Sequence, residues 1–233
     1  MMNSQRFNGR LKAHATAVAL AAGLLASAGA QAQSAGTAML RAGATEIKPH
    51  VSSGDLSTPS FAGTQIDIRS NTQFAGGVSY MLTDNVSIDV PLSLPFKHDI
   101  VGAGAIAGVG KIGEVRALPI TLLGQYRFME AKSAFRPYLG AGITYAKFYK
   151  AKSTAALSGL TGGTPSNPTT ISVDSKFGAT AQLGATYAFA EGWFVEADLT
   201  HTFLKTRATL STGQTIDAKL NPDSYSIAIG HSF

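Results

Sequence analysis

The stretch that decides the fold is Val86-Ser87-Ile88-Asp89-Val90-Pro91-Leu92-Ser93-Leu94-Pro95-Phe96-Lys97, where large apolar residues alternate strictly with polar or proline positions. Successive side chains of a β-strand point to opposite faces, so this period of two predicts one greasy face and one polar face. Val86, Ile88, Val90, Leu92, Leu94 and Phe96 fall on the first, and Ser87, Asp89, Pro91, Ser93, Pro95 and Lys97 on the second. The strand is expected over about 86–100.

The pattern recurs on both sides of it. Upstream, strands are expected over about 37–48 and about 71–82, the second with Phe74, Val78, Tyr80 and Leu82 on one face. Asp84-Asn85 then makes a tight turn. Downstream, a strand over about 114–128 groups Leu118, Ile120, Leu122, Tyr126 and Phe128, and one over about 135–150 groups Leu139, Ala141, Ile143, Tyr145 and Tyr149. A sixth ends at Phe189, a seventh opens at Trp193, and the eighth is the closing run from Tyr225 to Phe233. Short breaks near 83–85, 129–134 and 190–192 alternate with long ones, of which 102–113 and 151–171 are rich in small residues and expected as flexible loops.

Eight strands, three short turns and four long breaks predict an all-β chain. It is expected to form an eight-stranded antiparallel transmembrane β-barrel with long extracellular loops and short periplasmic turns. A soluble β-sandwich would alternate too, but its apolar faces would point inward and its outer faces would be charged. Here charges avoid the apolar face, and charged residues make up only 14% of the chain. In hydrocarbon every backbone donor needs a partner, so a sheet with this greasy face must close on itself. Aromatics collect where interfacial girdles belong: Tyr80, Phe128, Phe135, Phe189, Trp193 and Phe233 beside the short turns, and Phe96, Tyr145, Tyr149 and Phe203 nearer the long ones.

Residues 1–32 read as a cleaved secretory signal. Arg6, Arg10 and Lys12 precede an apolar run at 13–26, and Ala30-Gln31-Ala32 offers a small-x-small cleavage site before Gln33. Fourteen residues are too few for a membrane helix, which needs about 20. Residues 33–233 then form a single barrel domain, whose formal charge drops from +5 to +2 with the loss of those three basic residues. So mild a charge does not fit a nucleic-acid partner. The absence of cysteine excludes disulfides and thiolate metal sites.

Four segments resemble the OmpW family of outer-membrane barrels: Met39-Leu40-Arg41-Ala42-Gly43, Thr83-Asp84-Asn85, Pro95-Phe96-Lys97-His98, and Phe135-Arg136-Pro137-Tyr138-Leu139-Gly140-Ala141-Gly142-Ile143-Thr144-Tyr145. The resemblance implies a narrow, partly apolar lumen that passes small hydrophobic molecules across the outer membrane. It also implies an apolar constriction at Pro91 and Phe177, although the alternation itself turns Phe177 toward lipid.

Eight strands enclose room for side chains or one small ligand, which excludes a wide aqueous pore. The same alternation turns Arg41, Asp89, Lys97, Arg127, Arg136, Glu196 and Asp198 inward. Mixed charges in so confined a space are expected to pair, because a buried unpaired charge is costly. Pro91 and Pro95 share the inward face of the third strand and Pro119 lies on the fourth. Proline gives the ladder no donor, so these three are expected to weaken the joint between the strands and to let an apolar solute leave sideways.

A lipid hydrolase would need a base within reach of a nucleophile. Of the histidines only His50, in His50-Val51-Ser52, has a serine at same-face spacing, and it begins a loop; no catalytic, metal or cofactor site is expected. A structural or adhesive barrel acting through its loops is the other class open to this sequence. The expected partners are outer-membrane lipids and lipopolysaccharide, small hydrophobic solutes, and the barrel assembly machinery, reached through the last strand and Phe233.

Overall fold

The computed structural model describes residues 33–233, so the expected signal peptide lies outside the described residues. Alternation builds the wall. Its strands are β1 (Ala38–Lys48), β2 (Ser52–Ser53), β3 (Thr64–Ile68), β4 (Asn71–Met81), β5 (Val86–Ser93), β6 (Phe96–Gly104) and β7 (Lys111–Arg127). They continue as β8 (Phe135–Ser153), β9 (Ile171–Val173), β10 (Lys176–Ala188), β11 (Trp193–Phe203), β12 (Lys205–Leu210), β13 (Thr215–Lys219) and β14 (Asp223–Ser232). Where two strands follow each other with only a kink between them, they run on as one stave, and eight staves close into an antiparallel barrel. β1 completes the ring. It lies between β4 and β14, with Met39 opposite Ser79 on one side and Ser232 on the other. Ala38 and Phe233 exchange backbone hydrogen bonds of 3.0 and 2.8 Å, so no strand edge is left open at that join.

The outer wall is apolar. Leu40, Phe74, Leu92, Ile120, Leu139, Ile143, Leu183 and Ile227 all protrude from it, as hydrocarbon requires. The first strand keeps its alternation to its far end: Ile47 is buried, with Ser224 and Asn71 opposite it.

Above the wall the staves run further than the alternation predicts. β2, β13, β12 and β9 form a second, four-stranded sheet. The expected loop at 102–113 shrinks to a turn between β6 and β7. The expected loop at 151–171 contains a helix, α1 (Ala155–Thr161), capped by the Thr154 hydroxyl and ended by Gly162 at φ 83°. These pieces enclose an aliphatic core of Leu56, Ile100, Ile106, Ile112, Val115, Leu157, Leu210 and Ile216. Below it lie Ala146, Leu204, Ala218 and Leu220. At the opposite end Met39, Met81 and Phe194 pack together inside the ring. Phe96, expected in the aromatic girdle, is buried inside the barrel, because one extra residue between β5 and β6 reverses the faces.

Candidate functional site

Four of the seven charged residues that alternation turns inward form a sealed floor. Arg41 Nη1 donates to Asp89 Oδ1 at 2.7 Å and to Ser79 at 3.0 Å, and Nη2 donates to Asp89 Oδ2 at 3.0 Å. Its Nε lies 2.8 Å from Glu196 Oε1, an ion pair without hydrogen-bond geometry. Gly77 makes room for this guanidinium: a Cβ there would stand 2.7 Å from it. Arg127 lies over the Tyr138 ring at 4.7 Å and donates to Gln125 at 2.9 Å. Gln125 donates to Gln182 at 2.8 Å, and Gln182 to Asp198 at 3.2 Å, where the network ends half-exposed. Arg41, Asp89, Arg127 and Glu196 are all buried; the ion pairs of Arg41 with Asp89 and Glu196 offset the cost of taking those three charges out of water, while Arg127 is held by Gln125, Ser87 and the Tyr138 ring.

Arg136 and Lys97 stand elsewhere. Arg136 is buried, but its guanidinium donates to the backbone carbonyls of Gln33, Asp84 and Phe128, tying the short-turn end of the barrel rather than joining the carboxylates. Lys97 points outward. β5 and β6 meet β7 in registers that differ by one residue, and that extra residue turns Phe96 and His98 inward and Lys97 out. Phe177 also stands outside the wall, 71% exposed, its ring tilted at 42° against Tyr145 with centroids 4.7 Å apart. The implied constriction at Phe177 is therefore not in the lumen.

Sequence reasoning missed Gln33, Ser79, Ser87, Gln125, Tyr138, Gln182 and Thr186, although all but Gln33 sit at inward positions of the alternation. Gln33 donates to Thr186 at 3.0 Å inside the ring. A chain of hydroxyls, Thr121–Thr144–Thr180–Thr202, crosses four staves at 2.8, 2.7 and 3.2 Å.

Over the floor lies a cavity of about 130 Å3, lined mainly by apolar groups including Ala75, Phe96, Ala117, Ala146 and Phe148. That is the scale of an apolar cavity of roughly 150 Å3 that holds one benzene. Pro91, Leu92, Ser93 and Pro119 line it on one side, and there the wall is incomplete. Val86–Asp89 pair with Tyr126–Leu123, and Phe96 resumes the ladder opposite Ala117. Between them, residues 90–95 and 118–122 have no partner across this joint among the described residues. The flanking joints hold, since β5 stays paired with β4 up to Ser93 and β7 with β8 through Pro119.

His50 Nε2 lies 2.8 Å from Asp223, which also holds His201 at 2.7 Å, so Asp223 and not Ser52 engages His50.

The whole described chain has relatives of this shape. Outer membrane protein W of Vibrio cholerae is 34% identical over 214 residues, covering 90% of this chain and 94% of its own. A more distant relative is the dibenzothiophene metabolism operon protein PahQ of Pseudomonas aeruginosa, 26% identical over 174 residues and covering 73% of this chain and 76% of its own. The crystal structure of the outer membrane protein OprG from Pseudomonas aeruginosa matches with a TM-score of 0.77 at 26% identity, covering 86% of this chain and 97% of OprG. The model of the OmpW family spans residues 34–233. With that match and a closed eight-stranded wall, the chain belongs to the OmpW family and is a barrel of the Gram-negative outer membrane.

Proposed function

We propose that this barrel takes up small hydrophobic molecules passively and releases them sideways into the bilayer through the joint between the β5–β6 stave and β7. The observation that carries this is the combination of a closed floor with an unpaired wall beside the same cavity. A solute arriving from the aliphatic upper lumen meets Arg41, Asp89 and Glu196 below it, where desolvated charges and no apolar path await. Beside it the lining is Pro91, Ser93 and Pro119, and the outer face of the same wall is hydrocarbon-facing Val90, Leu92, Ile120 and Leu122. Proline gives the ladder no N–H at Pro91, Pro95 or Pro119, so few bonds oppose parting there. The name of PahQ, which refers to dibenzothiophene, agrees with an apolar solute. The folded, aliphatic upper region favours passage over adhesion through mobile loops. On the outer surface the reading places lipopolysaccharide against the wall, and it assigns the strand ending at Phe233 to the barrel assembly machinery.

The chain has no cysteine, so a pair introduced by Leu92→Cys and Ile120→Cys is unique. Joining the pair with a short bis-maleimide spacer should reduce uptake of an apolar aromatic to that of cells lacking the protein. Undiminished uptake through the joined wall eliminates the lateral route.

A further inference from the structure

We infer that the upper lip of this joint is a seat for a phosphorylated lipid of the outer leaflet, held by Arg116 with Lys97 and Lys147. On three neighbouring staves the outward apolar run stops and the next outward side chain is basic. Leu94 gives way to Lys97, Leu118 to Arg116, and Tyr145 to Lys147. The ladder draws the three together: Lys97 is directly opposite Arg116, and Lys147 is opposite Leu118, hence diagonal to Arg116 on the same face.

Like charges placed directly opposite one another in a sheet repel, so this arrangement calls for an anion. The protein supplies one only in part. Lys97 lies 2.9 Å from Glu114, a carboxylate already shared with Lys111 at 2.8 Å. Neither Arg116 nor Lys147 has an ion pair or a side-chain hydrogen bond among the described residues. A guanidinium fork meets a phosphate through two parallel hydrogen bonds, which suits Arg116 to the central position. The ligand must also be greasy. Ile120, Leu122 and Ile143 continue the same outer face downward, about half exposed, where acyl chains would lie. A phosphate attached to acyl chains satisfies both halves of the surface, and free phosphate only one.

The site has a mechanical consequence that rests on the lateral route proposed above. Phe96 opposite Ala117 and Lys97 opposite Arg116 are the first pairs above the unpaired segment. A phosphate bridging Lys97 and Arg116 replaces repulsion by attraction at that point and holds the lip of the exit closed, so the lipid occupying the seat sets how readily the joint parts.

Lipid retention tests the seat without reference to transport. The purified barrel is titrated with bis-phosphoryl lipid A, with its dephosphorylated form, and with phosphatidylcholine, and bound lipid is counted by native mass spectrometry. A phosphate near a basic side chain gains about fivefold per residue, so Arg116→Gln with Lys147→Gln should lose roughly 30-fold in bis-phosphoryl lipid A binding. Arg116→Lys keeps the charge but loses the fork, so its binding should fall between the parent and the double variant, and heat-modifiable gel mobility verifies that each variant folds. Equal retention of the three lipids, or equal binding by the double variant, overturns the seat. Displacement of the lipid by millimolar inorganic phosphate overturns the lipid as its occupant, and persistence supports it. Because retention is read without uptake, failure of the lateral route leaves this result unaffected.

Discussion

Arg41 carries the most consequential single contact in the barrel. It faces two carboxylates from different staves, and only Asp89 receives it in bidentate geometry, with Ser79 adding a third bond. Removing one partner of a buried pair leaves the other charge without compensation, which costs about 3–5 kcal/mol. Asp89→Asn should therefore lower the unfolding free energy by about that amount, read from the fluorescence of Trp193, the single tryptophan, during urea unfolding in micelles. Glu196→Gln should cost less, because its ion pair has no hydrogen-bond geometry to lose. Most of this cluster was legible in the sequence, since period two places Arg41, Asp89, Arg127 and Glu196 inside whatever the details of closure. Lys97 was not, because one extra residue near Pro95 reverses every face beyond it, and a change of register leaves no mark in composition. Gln33 precedes the first strand, so alternation says nothing of it.

At the level of strands the same extra residue decides what lines the cavity. It turns Phe96 inward and leaves residues 90–95 facing 118–122 without a ladder. The three prolines announced that joint in advance, whereas α1 and the upper sheet were hidden under compositions that read as loop; only Thr154 and Gly162, a cap and a stop, marked the helix. Two predictions separate the inside of the wall from the outside. Phe177→Ala should leave solute uptake unchanged, since that ring lies outside the barrel on Tyr145. Ala117→Trp should bring uptake to the background of cells lacking the protein by filling the cavity, at a strain of about 1–3 kcal/mol. A third prediction concerns the top of β7, above the apolar wall. Hydrogen bonds from Lys111 and Lys97 hold the Glu114 carboxyl down at about 2, against an ordinary 4.5. A depressed carboxyl stabilises the folded form above its unfolded value and loses that contribution as pH falls through the folded one. Amide protection across 97–116 should therefore hold at pH 5 and decline between about 4.5 and 2, and Glu114→Gln should remove that dependence.

For the molecule as a whole, the question is which species the floor refuses. An eight-stranded barrel is just wide enough for its own side chains, and here Arg41, Asp89, Arg127 and Glu196 fill that width in a layer with no exposed member. Met39, Met81 and Phe194 close the same lumen beneath it. An ion crossing it would have to displace the paired Arg41, Asp89 and Glu196 and the tethered Arg127, whereas an apolar solute that turns aside at the joint meets none of them. Ion conductance and hydrophobic uptake should therefore be separable in one molecule. In planar bilayers the protein should be nearly silent while vesicles containing it accumulate an apolar aromatic. Replacing Arg41, Asp89 and Glu196 together by alanine removes both carboxylates with the guanidinium they share, so neither ion pair is left half-filled, and should open a water path through the floor. That variant should raise conductance severalfold above the parent and leave solute uptake within about twofold, a change of under 0.5 kcal/mol in barrier. If opening the floor raised uptake in step with conductance, solutes would be travelling straight through the barrel and the joint between the staves would have no part in their passage.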